Sequence, residues 1–436
     1  MIAVVGMGAD GPASCSVEGR RAIAEADIIL GGRRHLDLVD GLARAEVIEW
    51  PSPLRAGLPG LLERYAGRRV VALASGDPLV AGIATTLIEL LGPDRVVVHP
   101  AVSSVALARA RLGWAADTCE VVRLGGRGPG GVDRVRRLLA PGRRVLVLSA
   151  DETSPRAVAR VCIDAGFPEA HLTILGHLGG ETETRSSALA TEVAEAEQDH
   201  PRLNIVAVEC GVEKGPSSRP QAASSGRVGD AESVVEERGT SVSKPRPVSG
   251  LLAPGLPDEA FEHDGQLTKR HLRACALAVL QSTPGELLWD LGAGAGSIGI
   301  EWARLHRDNR VVAVERDSTR AERIVRNAAR LGVPDLDVRT GAALALIDDL
   351  PDPDAIFVGG GASTELLDRC WARLGPHGRL VVHSVTLETE ALLIERHAAL
   401  GGELVQLAVA TAQALGSYRG WSPARPVVQW AVLKEI

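Results

Sequence analysis

The run Asp290-Leu-Gly292-Ala293-Gly294-Ala295-Gly296, with Gly299 three residues further on, closes an apolar stretch. Alternating glycines let the chain turn sharply and let a ligand approach the backbone at the N-terminus of a following helix. Two ligands compete for such a loop. Gly294-x-Gly296-x-x-Gly299 matches a dinucleotide fingerprint, in which a pyrophosphate rests on the helix end. The other ligand is S-adenosylmethionine, whose methionine part carries an ammonium and a carboxylate but no phosphate. Asp290 favours the second, because a carboxylate at the strand end can hold water or an ammonium but sits badly beside a pyrophosphate. Glu315 ends the next apolar run, "VVAVER", about 20 residues on, where an acid accepts hydrogen bonds from ribose hydroxyls in either case.

A second group of glycines lies near the start of the chain. Gly6 and Gly8 fall in "VGMGADG", and Gly76-Asp77-Pro78 follows the apolar run "RVVALAS". Asp77 is placed to cap the next helix, and Ser103 and Ser104 precede "VALARARLGW". By themselves these are turn residues.

The elements around them alternate. Short apolar runs ("IAVVGM", "ADIILG", "RVVALAS", "RVVVHP", "RVLVLS", "HLTILG", "LNIVAVE") are separated by helical patterns such as "VEGRRAIAEA" and "AGIATTLIELL". This predicts an α/β fold with mostly parallel sheets, and a break near 111–120 divides residues 1–210 into two α/β lobes. Residues 211–250 are rich in Ser, Gly, Pro and charge, bury too little apolar surface to offset ordering, and read as a flexible linker. Alternation resumes over 251–436 with "ELLWDLG", "RVVAVER", "LDVRTG", "AIFVGG" and "GRLVVHS". The end of the chain adds two further strands, giving a seven-stranded doubly wound sheet with an antiparallel final pair.

Composition narrows the function. A formal charge of −7 and 3% aromatic residues leave neither a basic face nor stacking rings for nucleic acid. No apolar run approaches the ~18 residues of a membrane span. The start "MIAVVGMGADG" reads as a strand and turn rather than an export signal, so a cytoplasmic protein is expected. Six cysteines are scattered without metal-ligand spacing, which predicts reduced thiols and no metal site.

Longer motifs bring a resemblance. "GLPDEAFEHDGQLTKRHLRACALAVL" followed by "GELLWDLGAGAGSIGIEWAR" is similar to the decarboxylating half of the precorrin C5,15-methyltransferase family of cobalamin biosynthesis. That half is a Rossmann-like class I methyltransferase. "VGMGADG", "ILGGRRHLDL", "SGDPLVAGIATTL" and "HPAVSSVALARARLGW" resemble the tetrapyrrole methylases, a two-lobed fold that makes up the C5-methylating half of the same family. The resemblance implies one S-adenosylmethionine site per catalytic domain. In the first half it would use Gly6, Gly8, Gly76, Asp77, Pro78, Ser103 and Ser104. In the second it would use Thr268, Asp290, Gly292 to Gly296 with Ala293 and Ala295, Glu315 at the ribose, and Gly341 and Ala342 beside the adenine. "AIFVGGGAS" would face the substrate.

The implied reactions are methylation of a precorrin at C5 and C15 with loss of the C12 acetate carboxyl, taking precorrin-6B to precorrin-8X. A cobalt-containing precorrin and a nicotinamide-dependent oxidoreductase are the alternatives, and a homo-oligomer is expected. A polyanionic macrocycle needs cationic anchors, for which Arg33, Arg34, Arg127 and the Lys269/Arg270/Arg273 set are candidates. Glu262, His263 and Asp264 in "FEHDG" are candidates for an acid assisting decarboxylation. The sequence departs from the family at His383, where an asparagine is expected and a substrate contact is possible by position. It departs also at Gly126, where a histidine is expected, and at the first turn, GADG instead of Gly-Pro-Gly.

Overall fold

The computed structural model describes residues 1–41, 44–80, 82–125, 131–197, 199–211 and 254–435. The expected linker, beyond its first residue, lies outside the described residues, as do Gly126 and Arg127.

The first half holds two five-stranded sheets. Strands β1 (Ile2–Met7), β2 (Ile28–Gly31), β3 (Glu46–Glu49), β4 (Val70–Ser75) and β5 (Val96–His99) pair in the order β3-β2-β4-β1-β5. Every pairing is parallel. Central strands covered on both faces bury nearly every residue, which is why they read as unbroken apolar runs. The carboxyl ends of the adjacent strands β1 and β4 put Gly8 and Gly76 side by side.

The second lobe contains β6 (Glu120–Arg123), β7 (Arg144–Leu148), β8 (His171–Gly176), β9 (Thr184–Leu189) and β10 (Asn204–Glu209), in the order β6-β7-β10-β8-β9. Here the expectation of a mostly parallel sheet fails. Only β6 and β7 run parallel, and the other three pairings are antiparallel. The chain passes from β8 to β9 without a helix, and a short connection of that kind makes neighbours antiparallel.

After the undescribed segment come β11 (Leu287–Leu291), β12 (Arg310–Glu315), β13 (Asp337–Thr340), β14 (Ala355–Val358), β15 (Arg379–Ser384), β16 (Glu403–Leu407), β17 (Ala410–Leu415), β18 (Tyr418–Pro423) and β19 (Val427–Leu433). Seven of them form one sheet, β13-β12-β11-β14-β15-β19-β16, in which β19 lies antiparallel to both neighbours. The end of the chain, expected as two strands, forms four: β16 and β19 join this sheet, and β17 pairs with β18 in a separate hairpin. Apolar clusters pack on both faces of the large sheet, with Trp289, Trp302 and Trp430 fully buried. Strand order reverses between β11 and β14, the position where open α/β sheets bind ligands beyond the strand carboxyl ends.

Candidate active sites

At that reversal, Gly292, Gly294 and Gly296 all have positive φ, at 69°, 59° and 76°. The first two also have no room for a side chain. A methyl group on Gly292 would lie 2.7 Å from the Gly360 carbonyl oxygen, and one on Gly294 would lie 2.9 Å from that of Gln266. The loop after β11 is thus wedged between the glycines after β14 and the "GQLTKR" segment, bringing Thr268 and Gly359–Gly361 to one edge of the sheet.

Acidic side chains fasten this loop. Glu315 Oε2 accepts from Gly294 N at 2.8 Å, and Oε1 accepts from Asp317 N at 3.1 Å. Gly341 N donates to the Glu315 carbonyl at 2.9 Å, so Gly341 and Ala342 adjoin that residue. Asp290 Oδ2 accepts from Gly299 N at 2.9 Å. It is buried, and burial pushes its carboxyl up to about 7; the Gly299 N–H opposes this and nearby Glu315 adds to it. Asp290 is therefore a protonatable strut inside the cradle.

The "FEHDG" segment lies against the helix Ser318–Arg330. Asp264 pairs with Arg320 at 2.8 Å and Arg323 at 3.2 Å. Its hydrogen bond from Arg320 holds the carboxyl well below the usual carboxylate range, which corrects its expected role as a proton donor. Glu262 Oε2 pairs with Arg326 at 3.1 Å. His263 Nδ1 accepts from Gly265 N at 3.1 Å.

A second correction concerns Arg273. Expected to grip substrate, it is fully buried, bonded through Nε to Glu301 at 2.5 Å and through its other nitrogens to Asp258 and the Thr268 and Leu256 carbonyls. Glu301 accepts in turn from Gly255 N and Leu256 N. This buried pair ties the segment before the helix Arg270–Leu280 to the helix Ser297–Leu305 and so positions Thr268. Residue spacing alone carries no signal for this pair. Lys269 and Arg270 remain exposed. His383 is buried, with Nε2 2.9 Å from Gln429 Oε1 and its ring edge-on to Phe357.

In the first half, Gly6 and Gly76 make a close backbone crossing. A methyl on Gly6 would lie 1.9 Å from the Gly76 carbonyl oxygen, and one on Gly76 (φ 52°) would lie 2.8 Å from Ser103 Cα. Ser103 Oγ caps the helix Ser104–Leu112 by accepting from Ala106 N. Asp77 instead closes its own turn, accepting from Leu79 N at 2.9 Å; the next helix begins at Ile83 without a side-chain cap, so the expected capping role is corrected. These turns border a cavity between the lobes. Gly8, Arg34, Ser75, Gly76 and Ser104 line it from one side; Leu148, Leu175, Asn204 and Ile205 line it from the other. Arg34 lines this wall and donates to Ser75 Oγ at 2.9 Å, and both Arg33 and Arg34 are exposed.

Both cradles suit a ligand approached by backbone amides and carrying few charges. Comparison with known proteins shows the family. A family model for tetrapyrrole (corrin/porphyrin) methylases matches residues 1–194, and one for a precorrin methyltransferase domain matches 259–434. A precorrin-6Y C(5,15)-methyltransferase [decarboxylating] from a Sinorhizobium species is 39% identical over 99% of this chain and 96% of its own. The protein of that name from Mycobacterium tuberculosis is 39% identical over the full length of both. The C-terminal domain of precorrin-6Y C5,15-methyltransferase from Rhodobacter capsulatus, a crystal structure, is 44% identical over 42% of this chain and 99% of its own, with a TM-score of 0.41. The chain belongs to the family of decarboxylating precorrin-6Y C5,15-methyltransferases, and it is a methyltransferase.

Proposed function

We propose that each half binds one S-adenosylmethionine, that the first half methylates C5 of a precorrin, and that the second methylates C15 and removes the C12 acetate carboxyl, converting precorrin-6B to precorrin-8X. The observation that carries this reading is the presence of two separate backbone cradles in one chain, each at the carboxyl ends of parallel strands and each closed to side chains by its neighbours.

The bound cofactor would supply an electrophilic methyl group, and the macrocycle's enamine character would supply the nucleophilic carbon. The protein's part is then mainly alignment, worth ~7–11 kcal/mol in favourable cases. In the second half, Glu315 and Gly341 would flank the nucleoside, and Gly292 to Gly296 the methionine part. Gly359–Gly361 would face the macrocycle. Of the three residues considered for decarboxylation, Asp264 is held ionised and Glu262 faces Arg326, which leaves His263 as the proton donor. In the first half, the apolar wall of Leu148, Leu175 and Ile205 suits a ring system, and Arg34 opposite it suits a peripheral carboxylate.

Equilibrium dialysis with radiolabelled S-adenosylhomocysteine tests the site count. Two equivalents per chain are expected, falling to one in Gly6→Val. One equivalent in the wild type, unaffected by Gly6→Val, would contradict the reading.

A further inference from the structure

Replacing the hydrogen on a meso carbon by a methyl group requires that this hydrogen leave as a proton, so the first half needs a proton acceptor beside the macrocycle. The cavity between its lobes contains a suitable arrangement. Ser75 ends β4, lines the cavity, and lies next to the Gly76 turn. Its Oγ is 3.0 Å from His35 Nε2 and receives a hydrogen bond from Arg34 Nη2 at 2.9 Å. Arg34 Nη2 also lies 3.2 Å from His35 Nε2. A guanidinium only donates, so Nε2 must carry a lone pair, and the proton on Ser75 Oγ is left to point at it.

We propose that Ser75 and His35 form the proton-accepting relay of the first half, with Arg34 orienting the hydroxyl. This rests on the reading of that half as a meso-carbon methyltransferase. As the meso carbon bonds to the methyl carbon, the methyl carbon's bond to sulfur breaks and leaves a neutral thioether. The meso C–H bond then breaks, its electrons return to the macrocycle, Ser75 Oγ takes the proton, and the hydroxyl's own proton passes to His35 Nε2. One proton is released to solvent per methyl transferred.

The surroundings suit this task. Burial, and then the charge of Arg34, lower His35 to about 4, so the ring is neutral throughout the neutral pH range. Arg34 is the one charged group among the described residues found to act on it, and Ser75 is the one side chain from β4 bonded to it. So weak a base suffices because the proton leaves a cationic, conjugated intermediate that is itself strongly acidic. Arg34 has a second consequence: a substrate carboxylate that neutralises it would raise the basicity of His35 once substrate is bound.

The test uses the full chain with precorrin-6B bearing hydrogen or deuterium at C5. His35→Asn and Ser75→Ala should each lower kcat for C5 methylation by about 10²-fold or more, within the usual range for a lost base. Binding of S-adenosylhomocysteine and C15 methylation should stay within about threefold of wild type. Ser75→Thr, which keeps the hydroxyl, should retain most activity. The deuterium isotope effect on C5 methylation should grow in His35→Asn as proton loss becomes limiting, and a structural role would not produce that change. Wild-type kcat and isotope effect in His35→Asn, or a loss confined to KM, would overturn the relay alone. Absence of C5 methylation by the wild-type chain would overturn the underlying reading and the relay with it.

Discussion

Replacing Asp290 by asparagine isolates the effect of one charge inside the second cradle. The amide can still accept from Gly299 N through its oxygen, so the geometry of the turn is kept while the ionisation is removed. In the folded protein the Asp290 carboxyl sits at about 7, against 3.8 when solvated. The folded state therefore favours the protonated form. Its contribution to stability is complete below pH 3.8 and is lost as pH rises through 7. Between pH 5.5 and pH 8 the linkage relation gives a loss of about 2 kcal/mol, from a total near 4 kcal/mol for a displacement of about three pH units. Five of the seven tryptophans (Trp289, Trp302, Trp371, Trp421, Trp430) lie in the second half, so urea unfolding followed by tryptophan fluorescence reports mainly on it. Wild type should lose about 2 kcal/mol over this pH interval that Asp290→Asn does not lose. Saturating S-adenosylmethionine, whose ammonium can balance the charge, should shrink the wild-type loss. Identical pH dependence in the two proteins would refute the assignment of a protonated Asp290.

Three further outcomes follow from the same geometry. Arg273→Ala leaves Glu301 buried without its cation and should destabilise the second half by about 3–5 kcal/mol, measured by the same unfolding assay; Arg273→Lys should rescue only partly because it cannot reproduce the four-partner fork. Glu315→Gln removes the carboxylate that accepts from both Gly294 N and Asp317 N, and should weaken cofactor binding at the second site by about tenfold or more, while calorimetry finds the first site unchanged. His263→Asn should slow release of carbon dioxide by about 10²-fold, whereas Asp264→Asn should slow it far less, as followed by trapping labelled carbon dioxide.

Sequence and structure agree best where burial is complete on both faces. The central strands β1, β4, β7, β10, β11, β12 and β14 are continuous apolar runs and were legible as such. The strands that sequence reasoning missed, β3 (EVIE), β6 (EVVR), β9 (TRSSAL) and β18 (YRGWSP), are all sheet edges with one side open to water, and their polar residues erase the signal. The glycine loop was legible because its demand for positive φ is local. The relay of His35 with Ser75 was not, because it joins residues 40 positions apart that only the neighbouring strands β2 and β4 bring together. Arg273 misled for a related reason: an arginine at a helix start reads as surface charge, and only the partner at Glu301, 28 residues away, makes its burial tolerable.

The most direct test of the central claim is mass spectrometry of the pigment formed when the purified full-length chain is incubated with precorrin-6B and S-adenosylmethionine. Gain of two methyl groups with loss of one carbon dioxide is the predicted result. A pigment of unchanged mass, under conditions where the protein demonstrably binds S-adenosylhomocysteine, would contradict it.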